Sequence, residues 1–160
     1  MTESAAGFRR GVRIGIDIGT VRVGVARSDP DGMLAVPVET VARDASPVAR
    51  IAELVAEHAA LEVVVGHPLN MSGERGPAAR AAEAFAAELA DRLPGTPVRL
   101  VDERLTTVSA QRNLHASGRT HRQSRAVVDQ AAAVIVVQNA IDGERVTGRP
   151  VGTTVRRRDP

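Results

Sequence analysis

The stretch that most constrains the fold is residues 12–29, VRIGIDIGTVRVGVARSD. An apolar run, Val12–Ile18, is followed by a Gly-Thr turn and then by valines at every second position, which predicts two strands joined in a hairpin. The run carries a single acid, Asp17, between Ile16 and Ile18. Because a buried carboxylate loses its hydration, we expect Asp17 to bind either a divalent cation or the backbone N–H groups of the turn.

The pattern of the remaining residues predicts an α/β domain. The first three strands follow one another as a meander, whereas the later strands are separated by helices, which predicts parallel pairing. We therefore expect a mixed five-stranded sheet, an antiparallel three-strand meander plus two parallel strands, flanked by helices. The predicted elements are strands at 12–18, 21–25, 33–41, 61–66 and 98–102, and helices at 46–58, 76–93, from 106 or 107 to 118, and 126–141.

The length of 160 residues fits one domain. We expect residues 1–10 to form a flexible arm and residues 11–143 to form the folded domain, with Gly143 ending its last helix. The Arg- and Gly-rich composition of residues 144–160 predicts a disordered tail. Residues 119–125, RTHRQSR, contain no apolar side chain and predict a mobile basic loop.

Composition excludes several classes of site. The chain has no cysteine, so it has neither disulfides nor thiolate chemistry. Its aromatic content of 1% argues against the stacking surfaces of single-strand binders. It has no lysine, so arginine supplies the positive charge, and the net charge is +2. No apolar run approaches about 18 residues and no signal-peptide pattern is present, so we expect a cytoplasmic protein with no membrane partner.

Acidic residues occupy three positions where a carboxylate should be costly. They are Asp17 in a strand, the pair Asp102–Glu103 at the end of another strand, and Asp129 on an apolar helix face. If these acids converge, repulsion between their negative charges destabilises the ionised forms unless cations bind between them. Two Mg²⁺ ions about 4 Å apart would meet this need and would also activate a water molecule for attack on phosphorus. For Asp129 considered alone, a favourable interaction with the helix dipole is a better explanation than metal binding. The dipole does not explain why all three acids occupy costly positions. Adjacent strand residues face opposite ways, so we favour Glu103 as the partner of Asp17 and keep Asp102 as the alternative.

Basic and hydroxyl side chains follow the same strand ends. They would attract a polyanion by releasing its counterions, although a run of charge commonly just faces solvent. Arg104 is placed to neutralise a neighbouring acid, and Thr106 or Thr107 either caps the next helix or donates to phosphate. The candidate nucleic-acid-binding residues are Asn70, Arg104, Thr106, Thr107, Arg119, Arg122 and Arg125.

Four motifs within residues 12–141 resemble those of the YqgF (RuvX) family of bacterial proteins. In order, they read GIDIGTVRVGVA, VVVGHPLNMSGERGPAA, VDERLTTVSAQ and VVDQAAAVIVVQ. The resemblance implies a ribonuclease H-like fold and a nuclease that uses Mg²⁺ or Mn²⁺, as one or two ions. Carried over by motif, the family's catalytic and metal-binding acids fall on Asp17, Glu103 and Asp129.

The chain departs from the family's pattern at two places. His67 stands where an apolar residue is expected, and Arg122 and Arg125 stand where lysine is common. Arginine grips phosphate with a planar fork of donors rather than with a point charge.

The resemblance leaves the substrate open. Members of the family are described as Holliday junction resolvases and as nucleases that mature the 5′ end of pre-16S rRNA, so the expected partner is either pre-rRNA, free or on a ribosomal subunit, or branched DNA. A resolvase that cuts two strands symmetrically would be a two-fold homodimer, whereas an RNA processor can act as a monomer.

Two further hypotheses come from other functional classes. The first is an RNA-binding ribosome-assembly factor that keeps the fold without catalysis, against which the intact acids argue. The second is an ATP-dependent kinase of the sugar kinase type, whose phosphate loop has a similar sequence. The kinase closes two lobes over its nucleotide, for which this chain is too short.

Overall fold

The structure is a computed structural model that describes residues 7–103 and 121–155, with the backbone alone described at 121–128. Its helices are α1 (Pro47–His58), α2 (Pro77–Arg92) and α3 (His121–Thr147). Its strands are β1 (Arg13–Ile18), β2 (Arg22–Ser28), β3 (Ala35–Ala42), β4 (Glu62–His67), β5 (Val98–Asp102) and β6 (Thr153–Val155). The helix predicted from residue 106 or 107 to 118 lies outside the described residues. Among the described helices, none has the length and apolarity needed to cross a membrane.

The strands form one mixed sheet in the order β3-β2-β1-β4-β5-β6. β2 pairs antiparallel with both β1 and β3, whereas β4 pairs parallel with both β1 and β5. The predicted meander and the two parallel strands are therefore confirmed. The predicted count of five strands is wrong, because β6 adds a sixth strand antiparallel to β5. A strand of three residues is too short to carry a recognisable alternation, so only its pairing with β5 defines it.

Two apolar cores lie on opposite faces of the sheet. On one face, α1 and α2 pack side chains such as Ile51 and Phe85 against strand residues that include Ile16. On the other face, α3 packs Val137 against residues that include Val64 of β4. Helices therefore cover both faces, as expected when parallel strands are joined by helical crossovers.

The α3 helix begins earlier than its apolar pattern predicts. Residues 119–125 predict a mobile basic loop, but the helix begins at His121. The loop prediction is therefore wrong for Arg122 and Arg125, which lie in the first turns of α3, while Arg119 lies outside the described residues. Residues 119–125 contain no apolar side chain, so they cannot show the amphipathic pattern by which a helix is recognised. Arginine and glutamine nevertheless favour the helical conformation.

The α3 helix also continues past Gly143, the predicted stop, and ends at Thr147. A Cβ on Gly143 would lie 2.5 Å from Cγ2 of Val151, so this glycine lets the returning chain pack closely against the helix. Gly148 has φ +74° and donates its N–H to the carbonyl of Glu144 at 2.7 Å, the geometry that commonly ends helices. The prediction that Gly143 ends the helix is therefore wrong, because the backbone turns at Gly148 while Gly143 serves close packing.

Both ends of the chain, where described, are held against the domain. Arg9 donates through Nε to Glu144 at 3.0 Å and through Nη2 to Glu62 at 2.9 Å. After α3, the chain returns as β6, and Arg99 donates through Nε to the carbonyl of Val151 at 2.9 Å. The predictions of a flexible arm and a disordered tail are therefore wrong for the described parts, since composition does not reveal partners so distant in sequence.

Candidate active site

β1 carries Asp17 on the sheet face that packs against α3. Gly15, two residues earlier and so on the same face, is covered by this helix, because a Cβ there would lie 2.1 Å from Cγ2 of Val137. Ile16 points to the other face and is fully buried in the core beneath α1 and α2. The predicted alternation thus leaves Asp17 facing α3 near the carboxyl end of its strand.

Both strands beside Asp17 present a glycine to it. On β2, the residue paired with Asp17 is Gly24. On β4, Gly66 directly follows Val65, which pairs with Ile16, so Gly66 is the neighbour of Asp17 in the continuing register. Neither glycine has a side chain, so groups from elsewhere in the chain can approach Asp17 from both sides.

Each glycine makes room for another acidic residue. A Cβ on Gly24 would lie 1.9 Å from the carbonyl oxygen of Asp129, so the α3 backbone passes directly over β2 at this point. A Cβ on Gly66 would lie 2.5 Å from the carboxylate carbon of Glu103. The structure therefore brings Glu103 and Asp129 to the two sides of Asp17.

The two adjacent acids after β5 have different surroundings. Glu103 is only 6% exposed, its N–H donates to the carbonyl of His67 at 3.2 Å, and its side chain hydrogen-bonds to Asp17. Asp102 is exposed and pairs with His67 across the sheet, on the face opposite α3. The favoured residue of the pair, Glu103, is the one beside Asp17.

The environment of Asp17 disfavours its charged form. Burial raises the pKa of Asp17 above the usual range, the hydrogen bond with Glu103 opposes this increase, and the negative charge of Asp129 adds to it. Two adjacent carboxyl groups repel each other when both are ionised, and a cation bound between them relieves that repulsion. Carboxylate oxygens are the ligands that Mg²⁺ and Mn²⁺ prefer, so Asp17 and Glu103 fit a hard divalent cation.

The third acid, Asp129, forms an ion pair that the sequence analysis missed. The Nε of Arg22 donates to Oδ2 of Asp129 at 2.8 Å, from a position on β2 two residues before Gly24 and on the same face. Within the described part of the chain, no three histidine or acidic side chains stand close enough together to hold one metal ion. The two residues are 107 positions apart, so no local pattern in the sequence indicates this pair.

The loop after β4 is attached to α2 through Glu83. His67 approaches Glu83 with 2.7 Å between Nε2 and Oε2, and Nε of Arg75 donates to the same oxygen at 2.8 Å. The hydrogen bond from Arg75, aided by His67, lowers the pKa of Glu83 to about 2 despite partial burial. His67, the departure from the family's apolar pattern, therefore positions this loop beside Glu103 and does not face α3.

The remaining candidate nucleic-acid-binding residues are only partly described. Asn70 is exposed in the loop after β4, where its N–H donates to the carbonyl of Glu74 at 2.9 Å. The side chains of Arg122 and Arg125 lie outside the description, and so does everything at Arg104, Thr106, Thr107 and Arg119.

Solved structures show the same architecture. The chain is similar to T. thermophilus RuvC in complex with a Holliday junction substrate, with a TM-score of 0.55, 16% identity, and coverage of 90% of this chain and 99% of that one. It is also similar to a second Thermus thermophilus RuvC structure, with a TM-score of 0.52 and 15% identity over 89% of this chain and 99% of that one. These likenesses confirm the ribonuclease H-like fold.

Sequence comparisons agree with the motifs. Two relatives carry the name "Putative pre-16S rRNA nuclease": one from Thermobifida fusca is 54% identical, and one from a Nocardioides species is 55% identical. Each alignment covers 92% of this chain and 98% of the relative. The family model of RuvX, described as Holliday junction resolvase, matches residues 11–143. The chain therefore belongs to the RuvX family.

Proposed function

We propose that this chain is a metal-dependent endonuclease that hydrolyses phosphodiester bonds, with Asp17, Glu103 and Asp129 holding one or two Mg²⁺ or Mn²⁺ ions. The observation that carries the proposal is the buried pair of Asp17 and Glu103, two carboxyl groups that hydrogen-bond to each other where burial raises the pKa of Asp17. A buried carboxyl group with a raised pKa at the carboxyl ends of parallel strands is typical of catalytic sites.

The chain's own residues would divide the work at this site. When bound, a divalent cation supplies charge neutralisation of the phosphate and an activated water. Asp17 and Glu103 present carboxylate oxygens from one face of the sheet, and Asp129 adds a third carboxylate from α3. The burial of Glu103 excludes bulk water from this part of the site, which strengthens every electrostatic interaction made there.

We propose pre-16S rRNA as the substrate, cleaved in the cytoplasm during maturation of the 5′ end. The names of the relatives support this choice. The phosphate backbone would be bound by arginines that follow the strand ends and begin α3, namely Arg104, Arg119, Arg122 and Arg125, with Asn70, Thr106 and Thr107 as polar contacts. The chain would reach its substrate free or on the ribosomal subunit, as a monomer.

A second candidate function is cleavage of Holliday junctions. The description of the family model and the likeness to a RuvC–junction complex favour it. Symmetric cleavage of a junction needs two active sites related by a two-fold axis, so this function requires a homodimer.

The test incubates the pure protein with a labelled precursor rRNA fragment or a labelled four-way DNA junction, each with Mn²⁺ or with EDTA. The variants are Asp17→Asn, Glu103→Gln and, as the matched control, Asp102→Asn. We expect Mn²⁺-dependent cleavage of the RNA that falls at least about 1,000-fold in the first two variants, because each removes a ligand charge. Asp102→Asn should retain cleavage within about threefold, because its carboxylate faces the opposite side of the sheet.

The outcomes separate the candidates. Paired, symmetric nicks in the junction with no RNA cleavage would replace the rRNA function with resolution. Binding to either substrate without cleavage under any metal would favour an assembly factor. Loss of cleavage in Asp102→Asn but not in Glu103→Gln would reverse the assignment of the ligand.

A further inference from the structure

The carboxylate of Asp129 forms an ion pair with Arg22. The Nε of Arg22 lies 2.8 Å from Oδ2 of Asp129, and the two side chains are 29% and 16% exposed, so the pair is partly shielded from water. The contact depends on the tertiary fold, because the two residues are 107 positions apart. Arg22 thus brings a permanent positive charge to the edge of a site that contains the carboxyl groups of Asp17, Glu103 and Asp129.

We propose that Arg22 competes with the divalent cation for Asp129 and so sets the metal affinity of the site. This inference rests on the proposed metal-dependent function. Two consequences follow from the pairing: the guanidinium removes one unit of negative charge from the acidic cluster, and it occupies an oxygen of the third ligand.

This competition makes the binding of the metal and the binding of the nucleic acid cooperative. A cation that takes Asp129 releases the guanidinium of Arg22, which stays on the same sheet face as Asp17 and Gly24. A guanidinium released beside a metal site can bind a phosphate oxygen, its preferred anionic partner. Arg22 therefore acts as a positioning residue that favours metal binding when a phosphate is present to receive it.

The test measures Mn²⁺ binding to the full chain without nucleic acid, by electron paramagnetic resonance, which detects free Mn²⁺. Arg22→Gln removes the charge, whereas Arg22→Lys keeps a charge at the same position. The matched control is Arg27→Gln, on the same strand, where the arginine donates to the carbonyl of Ser28 rather than to an acid of the site. Asp17→Asn defines which bound Mn²⁺ belongs to the proposed site.

We expect Arg22→Gln to bind Mn²⁺ about fivefold more tightly than the wild type, the effect of a partly exposed ion pair. Arg22→Lys should stay within about twofold of the wild type, because it retains the competing charge. Unchanged or weaker binding in Arg22→Gln would overturn the inference, and so would equal tightening in Arg27→Gln, which would reduce the effect to net charge.

The same titration tells the two proposals apart. If Asp17→Asn leaves Mn²⁺ binding unchanged, the metal site proposed for cleavage is wrong, and the role of Arg22 is wrong with it. If binding depends on Asp17 but not on Arg22, the metal site stands and the competition alone is refuted. If Arg22→Gln binds Mn²⁺ more tightly and this binding is lost when Asp17→Asn is added, the metal site and the competition are both supported.

Discussion

Buried acids lie near both ends of β1, but their partners differ: arginines at the amino-terminal end and another carboxyl group at the carboxyl end. At the amino-terminal end, the carboxylates of Glu144 and Glu62 are each 1% exposed and lie among arginines. Arg9 donates to both, and the fully buried Arg13 donates to Glu144 at 3.1 Å. Burial alone would raise the pKa of Glu144, but the hydrogen bonds from these arginines outweigh it and lower the pKa to about 2.

At the carboxyl end, the hydrogen bond of Asp17 is with another carboxyl group, Glu103, and the pKa of Asp17 is raised. At this end, Arg22 pairs with Asp129 and not with Asp17 or Glu103 in the contacts of the described side chain of Arg22. The chain can therefore neutralise buried acids, and does so where they join its termini to the domain. Acids left with a raised pKa reduce stability, and selection retains such acids at functional sites.

The largest expected effect concerns the amino-terminal end. Glu144→Gln should lower the free energy of unfolding by about 3 kcal/mol, because it leaves Arg9 and Arg13 without their shared buried carboxylate. Urea denaturation measures this change. Glu88→Gln, which alters an exposed acid on α2, is the control and should change the stability by less than about 0.5 kcal/mol. A small effect of Glu144→Gln would mean that the ion network does not stabilise the fold.

Acid should remove the same contribution. The folded pKa of Glu144, about 2, lies below its ordinary value of 4.5, so the unfolded chain binds more protons and acid favours unfolding. The stability from this carboxylate is therefore fully present above about pH 4.5 and is lost as the pH falls toward 2. The difference in unfolding free energy between the wild type and Glu144→Gln should shrink over that window. A difference that stays constant would refute the lowered pKa.

At the carboxyl end, Gly66→Ala should impair chemistry more than stability. The added Cβ would lie 2.5 Å from the carboxylate carbon of Glu103, and a flexible side chain can move aside at little cost. A shift of about 1 Å in a catalytic group can reduce the rate about 100-fold, so cleavage should fall by that order while the melting temperature changes little. The control is Gly95→Ala, where no atom lies within 4 Å of the added Cβ. Full activity in Gly66→Ala would mean that the position of Glu103 is not critical.

The smallest expected effect has the opposite sign. Asp17→Asn should raise the free energy of unfolding in EDTA slightly, because a neutral amide removes a carboxylate whose pKa burial has raised. Thermal melting at neutral pH measures it, with the exposed Asp44→Asn as the control. A loss of stability in Asp17→Asn would show that Asp17 is needed to hold the fold, as Glu144 is.

The sequence by itself determined the elements whose patterns are local. The apolar run and the alternation on either side of the Gly-Thr turn predicted both strands of the hairpin, and the predicted helix at 76–93 lies within one residue of each observed end of α2. It also marked three acids as costly, because burial can be inferred from apolar neighbours along the chain. The choice of Glu103 over Asp102 followed from alternation and the family's motif.

The tertiary structure decided whatever depends on which faces meet. Gly148 ends α3 with its positive φ, whereas Gly143 stays inside the helix, where Val151 packs against it. The Arg9–Glu144 pair spans 135 positions of sequence, and the Arg22–Asp129 pair spans 107. Local patterns arise from the periodicity of one strand or helix, whereas a long-range ion pair depends on how several elements pack, so the sequence could show the cost of each acid but not its partner.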